Sequence, residues 1–190
     1  MNQETGVRNL PDFPLDPGGE TGRRFACLGV RGYREAARYV RSLPYGRTSD
    51  RSDWRLVLEE GRGTCSTKHA LLAALARENG SPVSLVLGFY EMDGENTPGV
   101  GRALAKHGLR SVPEAHCFLA HDGRRVDLTR EDAGDGPASF LYEEEIEPGQ
   151  IGAYKVEAHR EFVGLWAEDR GLDPARVWRA REECIAALTV

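Results

Sequence analysis

The sequence has few of the features that mark membrane, secreted and nucleic-acid-binding proteins. Among its 190 residues, no apolar run approaches the roughly 20 needed to cross a membrane. Residues 1–20 contain three prolines but no apolar segment, so we expect no secretory signal. The 25 basic residues are outnumbered by 30 acidic ones, which gives a net charge of −5. We therefore expect neither a membrane nor nucleic acid as a partner.

Paired cysteines are also absent. The chain has only Cys27, Cys65, Cys117 and Cys184, which lie far apart and form no Cys-x-x-Cys motif. Without a secretory signal, this usage predicts reduced thiols in a cytoplasmic protein. A chain of this length buries enough surface to fold without disulfides or a structural metal. We expect no cofactor and no metal, and the sequence does not indicate an oligomeric state.

The pattern of apolar residues predicts an α+β fold. Helices are expected over 32–43, 54–60, 66–79, 98–108, 151–170 and from 174 onward, and strands over 83–92, 115–121, 124–128 and 140–146. An acidic, glycine-containing loop is expected over 130–138. We divide the chain into an N-terminal arm without regular structure (1–24), a core (25–147) and a helical appendage packed on that core (148–190).

Cys65 is the candidate nucleophile. It lies at the start of the predicted helix 66–79, directly after the glycine turn that contains Gly61 and Gly63. The unpaired N–H groups and the dipole at a helix N-terminus favour an anion there, and can lower the pKa of a thiol from about 8.5 into the range 3.5–7.5. The glycines allow a sharp turn and leave room for a substrate. The alternative is that Cys65 is a small buried hydrophobe, the usual fate of a free cysteine.

His116 and Asp127 are the candidate base and orienting acid. Asp122 and Gly123 form a strong two-residue hairpin signal, so His121 should pair with Arg124. In that register, Asp127 lies diagonally next to His116 on one face of the hairpin, roughly 7–8 Å away. A carboxylate at that position can orient an imidazole, which can in turn take a proton from a thiol.

Three stretches of the sequence resemble motifs of the transglutaminase-like superfamily. The segment 63–82, followed by the apolar run 83–90, is similar to the nucleophile motif of that family. The segment 115–129 is similar to its His-strand-turn-strand-Asp motif, and 43–45 with 57–61 resemble its lead-in. The likeness extends over about half of the chain, with the motifs in the expected order.

The resemblance implies a papain-like fold and a Cys65–His116–Asp127 triad. It implies a cysteine-dependent hydrolase or acyl transferase, in which a peptide or protein amide is the substrate and a thioester is the intermediate. Ser66 stands where the animal transglutaminases have tryptophan, and the sequence has no calcium-binding loop, so calcium-dependent cross-linking is not implied. Hydrolysis is favoured over amine transfer, because nothing in the sequence indicates a site that excludes water.

An oxyanion hole needs two donors. The backbone N–H of Cys65 is one by position, and Tyr45 and Trp54 are candidates for the second. Both side chains could instead pack in the core with a satisfied polar tip, and for Trp54 packing is the favoured interpretation.

Two further interpretations compete with the catalytic one. His69, together with His116, Cys117 and His121, could suggest zinc, but the spacing fits no common zinc module. Alternatively, the triad could be idle and the domain could serve as a protein-binding module. Among the other polar residues, we expect Lys68 to be solvated and His159 to lie at the surface or at a helix end.

Overall fold

The structure is a computed structural model that describes residues 5–130 and 136–188. Helices α1 to α8 are Thr5–Arg8, Glu20–Cys27, Tyr33–Ser42, Leu56–Glu60, Cys65–Glu78, Gly101–Lys106, Ala153–Asp169 and Pro174–Ala187. Strands β1 to β4 are Ser84–Asp93, Ser111–His121, Arg124–Val126 and Tyr142–Ile146, and Pro148–Ile151 is a short 3₁₀ helix. The mixture of helices with an antiparallel sheet confirms the predicted α+β class. No helix in the described ranges has the length and hydropathy needed to span a membrane.

The four strands form one sheet in the order β3-β2-β1-β4. The hairpin β2–β3 has the predicted register, since His121 pairs with Arg124 and Leu119 with Val126. The turn between the strands has positive φ at both Asp122 (48°) and Gly123 (71°), which is the conformation that this dipeptide favours.

The chain divides into two compact units, both discontinuous in sequence. Of the described residues, the first contains 5–87, 117–130, 136 and 144–153, and the second contains 88–116, 137–143 and 154–188. The division at residues 24 and 147 that we drew from the sequence stays a prediction.

Helix α5 is the centre of the first unit. It contacts α2, α3, α4 and the 3₁₀ helix, and its residues are buried around most of the circumference. It begins at Cys65, one residue before the predicted start. It ends with Gly80 in the left-handed conformation (φ 65°), where the amide of Ser81 donates to the carbonyl of Ala76.

The expected absence of regular structure over 1–24 is wrong, because α1 lies in this range and α2 begins in it. Helix α2 is stabilised from a distance: the carboxylate of Glu78 accepts hydrogen bonds from the amides of Thr21 (2.9 Å) and Gly22 (2.8 Å) at its first turn. The amide of Asp16 likewise donates to the side chain of Asn79. These partners are far away in sequence, so local periodicity does not reveal them.

Several other elements differ from their predicted bounds; β2, for example, begins at Ser111 instead of residue 115. Helix α6 begins after residue 98 because Gly99 has a φ of 107°, which no helix accommodates. Helix α7 begins after 151 because Gly152 (φ −87°, ψ −114°) separates it from the 3₁₀ helix. The predicted strand 124–128 ends at Val126. Part of the predicted acidic loop, 131–135, lies outside the described residues.

The second unit has its own apolar core. Buried residues from β1, β2, α6, α7 and α8 pack together there, namely Met92, Val100, Leu104, Val112, Val163, Trp166, Ala167, Val177, Ala180 and Cys184. Beside them lies a buried ion pair, in which Arg181 donates two hydrogen bonds to the carboxylate of Glu114 (2.6 and 2.7 Å). Trp166 is 8% exposed in this core.

His159 is buried in the second unit, so its expected surface position is wrong. Its Nε2 donates to the carbonyl of Pro113 (3.0 Å), and its ring lies 5.2 Å from that of Trp178. Burial lowers the pKa of His159 below its ordinary value, although the nearby Glu114 carboxylate and the hydrogen bond to Pro113 raise it.

This lowered pKa predicts that the protein loses stability as the solution is acidified. The unfolded chain binds a proton at His159 near pH 6.5, whereas the folded chain binds it only at lower pH. The free energy of unfolding should therefore fall below pH 6.5, by at most about 1.4 kcal/mol per pH unit for this group, until the folded pKa is passed. Denaturant unfolding at several pH values checks this, with His159→Phe flattening the slope just below pH 6.5. An equal slope in the variant would contradict the assignment.

Candidate active site

Cys65 is the first residue of α5 and is 9% exposed. The turn before it is held by Thr64, whose amide donates to the hydroxyl of Thr67 (2.9 Å) and whose carbonyl accepts from the amide of Lys68 (3.0 Å). The Sγ atom lies 3.8 Å from the hydroxyl of Ser66. The thiol thus lies at the positive end of a 14-residue helix, as the sequence predicts.

The two glycines before Cys65 have different structural roles. Gly61 adopts a left-handed conformation (φ 64°) with open space where a side chain would be. Gly63 has no positive φ, but an added Cβ would lie only 2.9 Å from the side chain of Lys68 and 3.1 Å from that of Val57. The first glycine allows the chain to turn, and the second allows the turn to pack against α4 and α5.

Gly63→Ala is therefore expected to destabilise the protein through crowding. A displaced neighbour in a packed interior costs about 1–3 kcal/mol. Gly149→Ala is the matched control, because a Cβ there meets open space and that glycine has no positive φ, so its effect should stay within about 0.5 kcal/mol. Chemical denaturation of both variants provides the comparison. Equal stabilities would contradict the close packing at Gly63.

Tyr45 lies beside this turn. Its backbone forms a parallel bridge with Gly63, supported by hydrogen bonds from the Gly46 amide to the Gly63 carbonyl and from the Gly63 amide to the Pro44 carbonyl. Its ring is 47% exposed, and the guanidinium of Arg130 stacks on it at 4.3 Å. The structure therefore pairs the backbone of Tyr45 with a residue two positions before Cys65.

Trp54 precedes α4 and is half-buried. The guanidinium of Arg55 covers its ring at 4.5 Å. The Trp54 ring therefore packs against the side chain of Arg55.

The carboxylate of Asp127 lies directly after β3 and is 5% exposed. Its Oδ1 accepts hydrogen bonds from both the amide (2.9 Å) and the hydroxyl (2.5 Å) of Thr129. On its other side, a Cβ at Gly136 would clash with Oδ2, and that glycine has a φ of 76°. The carboxylate is thus held in one orientation.

His69 connects the turn at Cys65 with the segment that carries Asp127. The ring is fully buried, with Nδ1 2.8 Å from the carbonyl of Cys65 and Nε2 2.8 Å from the amide nitrogen of Leu128. The Oδ1 atom of Asp127 lies 3.7 Å from Nε2. The amide of Leu128 pairs with His69 instead of a neighbouring strand, which explains why β3 ends at Val126.

Lys68 is fully buried, so its expected solvation is wrong. Its Nζ donates to the carbonyls of Leu43 (2.5 Å), Thr129 (2.9 Å) and Arg41 (3.4 Å). The ammonium therefore joins the end of α3 to the segment after β3.

His116 belongs to the second unit, where it lies on β2 and is half-buried. Its ring packs edge-on against Tyr90, with 6.5 Å between the ring centres, and Tyr90 packs in the same way against Phe140. Cys117, the next residue along the strand, is fully buried.

The structure brings Cys65 and Asp127 together through His69. The sequence analysis considered His69 only as a member of a zinc site that it did not favour. Across 5–130 and 136–188, no group of three or more His, Cys, Asp and Glu side chains could hold a metal ion. The signal for His69 was its place four residues after Cys65, on the same helical face.

The comparison with known families identifies part of the chain. Residues 29–121 match the transglutaminase-like superfamily, and the match includes Cys65 and His116 but ends before Asp127. It confirms the resemblance seen in the sequence, and this segment is a transglutaminase-like core. Cysteine-based catalysis is the chemistry that a match to this family suggests in general. Searches of curated proteins and of solved structures gave no match.

Proposed function

We propose that the protein is a cysteine-dependent amide or peptide hydrolase or acyl transferase that acts through Cys65, His116 and Asp127. The observation that carries the proposal is the position of Cys65 at the first turn of α5, within the segment that matches the family. A peptide or protein amide is the proposed substrate, which is the substrate class that the family suggests. The cytoplasm is the proposed location.

In the proposed mechanism, His116 takes the proton of the Cys65 thiol. The thiolate attacks the amide carbonyl carbon and forms a tetrahedral intermediate, whose oxyanion accepts a hydrogen bond from the backbone N–H of Cys65. His116 then gives the proton to the leaving amine, the C–N bond breaks and a thioester remains. Water or another amine attacks the thioester carbonyl while His116 takes a proton from the attacking molecule. The C–S bond then breaks, an acid or a new amide leaves, and His116 returns the proton to the Cys65 sulfur.

The roles of Asp127 and Tyr45 follow from their surroundings. The proposed role of Asp127 is to orient His116 and stabilise its charged form, which requires a carboxylate of fixed orientation such as Thr129 provides. Tyr45 is the better supported second oxyanion donor, because its backbone is paired with Gly63 close to the nucleophile. Trp54 is left with a packing role.

Acylation by p-nitrophenyl acetate tests the proposal without knowledge of the natural substrate. We expect a burst of nitrophenolate, with the acetyl group found on Cys65 by peptide mass spectrometry. Exposed Cys27 is the internal reference, and Cys27→Ser should keep the burst. Faster release of the acetyl group by added ethylamine from Cys65 than from acetylated Cys27 would show that an amine can replace water at this site. No preference for Cys65 over Cys27 would overturn the proposal and favour the idle, protein-binding alternative.

A further inference from the structure

We propose that Lys68 and His69 are positioning residues that anchor the segment 127–129 to the first turn of α5 and thereby fix the Asp127 carboxylate relative to Cys65. The proposal rests on the proposed function in one respect, which is that it treats Cys65 and Asp127 as catalytic. All of the contacts that carry it lie within the first unit.

His69 makes its two contacts in only one tautomer. The amide of Leu128 can only donate, so Nε2 must be the unprotonated, accepting nitrogen. The proton then lies on Nδ1, which donates to the carbonyl of Cys65. The neutral ring thus joins the backbone of the nucleophile to the backbone next to Asp127, and both of its nitrogens are satisfied.

Lys68 makes the second connection. Its ammonium donates to the carbonyl of Thr129, and Thr129 in turn donates through its amide and its hydroxyl to Oδ1 of Asp127. The same ammonium holds the carbonyl of Leu43, two residues before Tyr45. Burying an ammonium costs free energy that an apolar side chain would not cost. Its presence here is explained by the three stretches of chain that it joins around the nucleophile, which are residues 41–43, Thr129 and α5 itself.

The two anchoring residues are adjacent in sequence, and the two residues that they bind are adjacent as well. Lys68 binds the carbonyl of Thr129, and His69 binds the amide of Leu128, so one turn of α5 holds both sides of the segment. The remaining side of Asp127 lies so close to Gly136 that a Cβ added at that glycine would clash with Oδ2, which leaves no room there for any other residue. The position of the carboxylate is therefore set by α5 rather than by the strand that precedes it.

The first test compares variants by the pH profile of Cys65 alkylation with iodoacetamide. His69→Ala should slow alkylation at pH 6 by tenfold or more and shift the profile toward that of Cys27. His69→Gln should restore part of the Cys65 reactivity at pH 6, because its amide oxygen can accept a hydrogen bond from the amide of Leu128. The matched control is Leu75→Val, a change at a fully buried position elsewhere on α5, which should lower the melting temperature without moving the profile.

The outcomes separate the two proposals. An acid-shifted profile in the wild type that His69→Ala leaves unchanged would overturn the positioning role alone. A wild-type profile identical to that of Cys27 would overturn the proposed function. If His69→Ala fails to fold, the alkylation profile of His69→Gln and the tautomer measurement described next still test the positioning role.

The second test does not depend on reactivity. Long-range ¹H–¹⁵N correlation spectra of the ¹⁵N-histidine-labelled protein report the tautomer of each ring, and His69→Gln assigns the signal. We expect His69 with the proton on Nδ1 and with Nε2 unprotonated. A proton on Nε2 would mean that His69 donates toward Asp127 and cannot accept from Leu128, which would overturn the anchoring.

Discussion

Replacing Cys65 with alanine is expected to reduce acyl transfer from p-nitrophenyl acetate to the level of the uncatalysed reaction. The proposed mechanism forms a covalent bond at this sulfur, so without it the remaining groups have nothing to activate. Loss of the nucleophile in a triad enzyme costs about 10⁴-fold or more in turnover. Cys65→Ser should be similarly inactive, because a hydroxyl next to the same base is a much weaker nucleophile.

The control for this experiment is Cys27→Ser. Cys27 is an exposed thiol at the end of α2 and has no part in the proposed mechanism. The variant should therefore keep full turnover. If Cys65→Ala and the wild type turned over at the same rate, the nucleophile would lie elsewhere or the reaction would not be enzymatic.

Replacing Glu114 with glutamine is expected to have the largest effect on stability, about 3–5 kcal/mol. Burial by itself raises the pKa of this carboxyl, but the hydrogen bonds and charge of Arg181 outweigh burial and hold the pKa below its ordinary value. The glutamine would leave the largely buried guanidinium of Arg181 without its main counter-charge. For a domain of this size, the loss corresponds to a fall in melting temperature of roughly 10 °C.

Glu182→Gln is the matched control, because Glu182 pairs with the same arginine from an exposed position on α8 (2.6 Å). An exposed pair contributes at most about 1 kcal/mol, so this variant should melt close to the wild type. Equal losses in both variants would show that burial of the Glu114–Arg181 pair does not determine its contribution.

The acid dependence of stability follows from the same pair. The lowered pKa of Glu114 means that the folded state resists protonation more than the unfolded state does. Its contribution is present above about pH 4.5 and is lost as the pH falls through the folded pKa. It adds to the loss that His159 causes just below pH 6.5.

The sequence predicted the elements whose signals are local. The hairpin register follows from Asp122 and Gly123, and the end of α5 follows from Gly80, because both positions need conformations that few residues adopt. The start of α8 at Pro174, capped by Asp173, follows from local chemistry in the same way. The family motif around Cys65 and the one around His116 are visible for the same reason, since the residues within each motif are close together in the chain.

The sequence did not predict features that depend on distant partners. Helix α2 exists because Glu78 caps it from α5, and β3 is short because Leu128 donates to His69. Lys68 was expected in solvent because a lysine is rarely buried unless its donors are satisfied. The three carbonyls that satisfy it come from chain segments more than 20 residues away, so no local pattern reveals them.

The measurement that tests the central claim most directly is the pH dependence of alkylation at each of the four cysteines, in the wild type and in His116→Ala. The account predicts that Cys65 of the wild type reacts rapidly well below pH 7 while Cys27, Cys117 and Cys184 do not, and that His116→Ala removes the difference. A Cys65 that reacts like an ordinary thiol, with or without His116, would contradict a thiolate–imidazolium pair and with it the proposed enzyme.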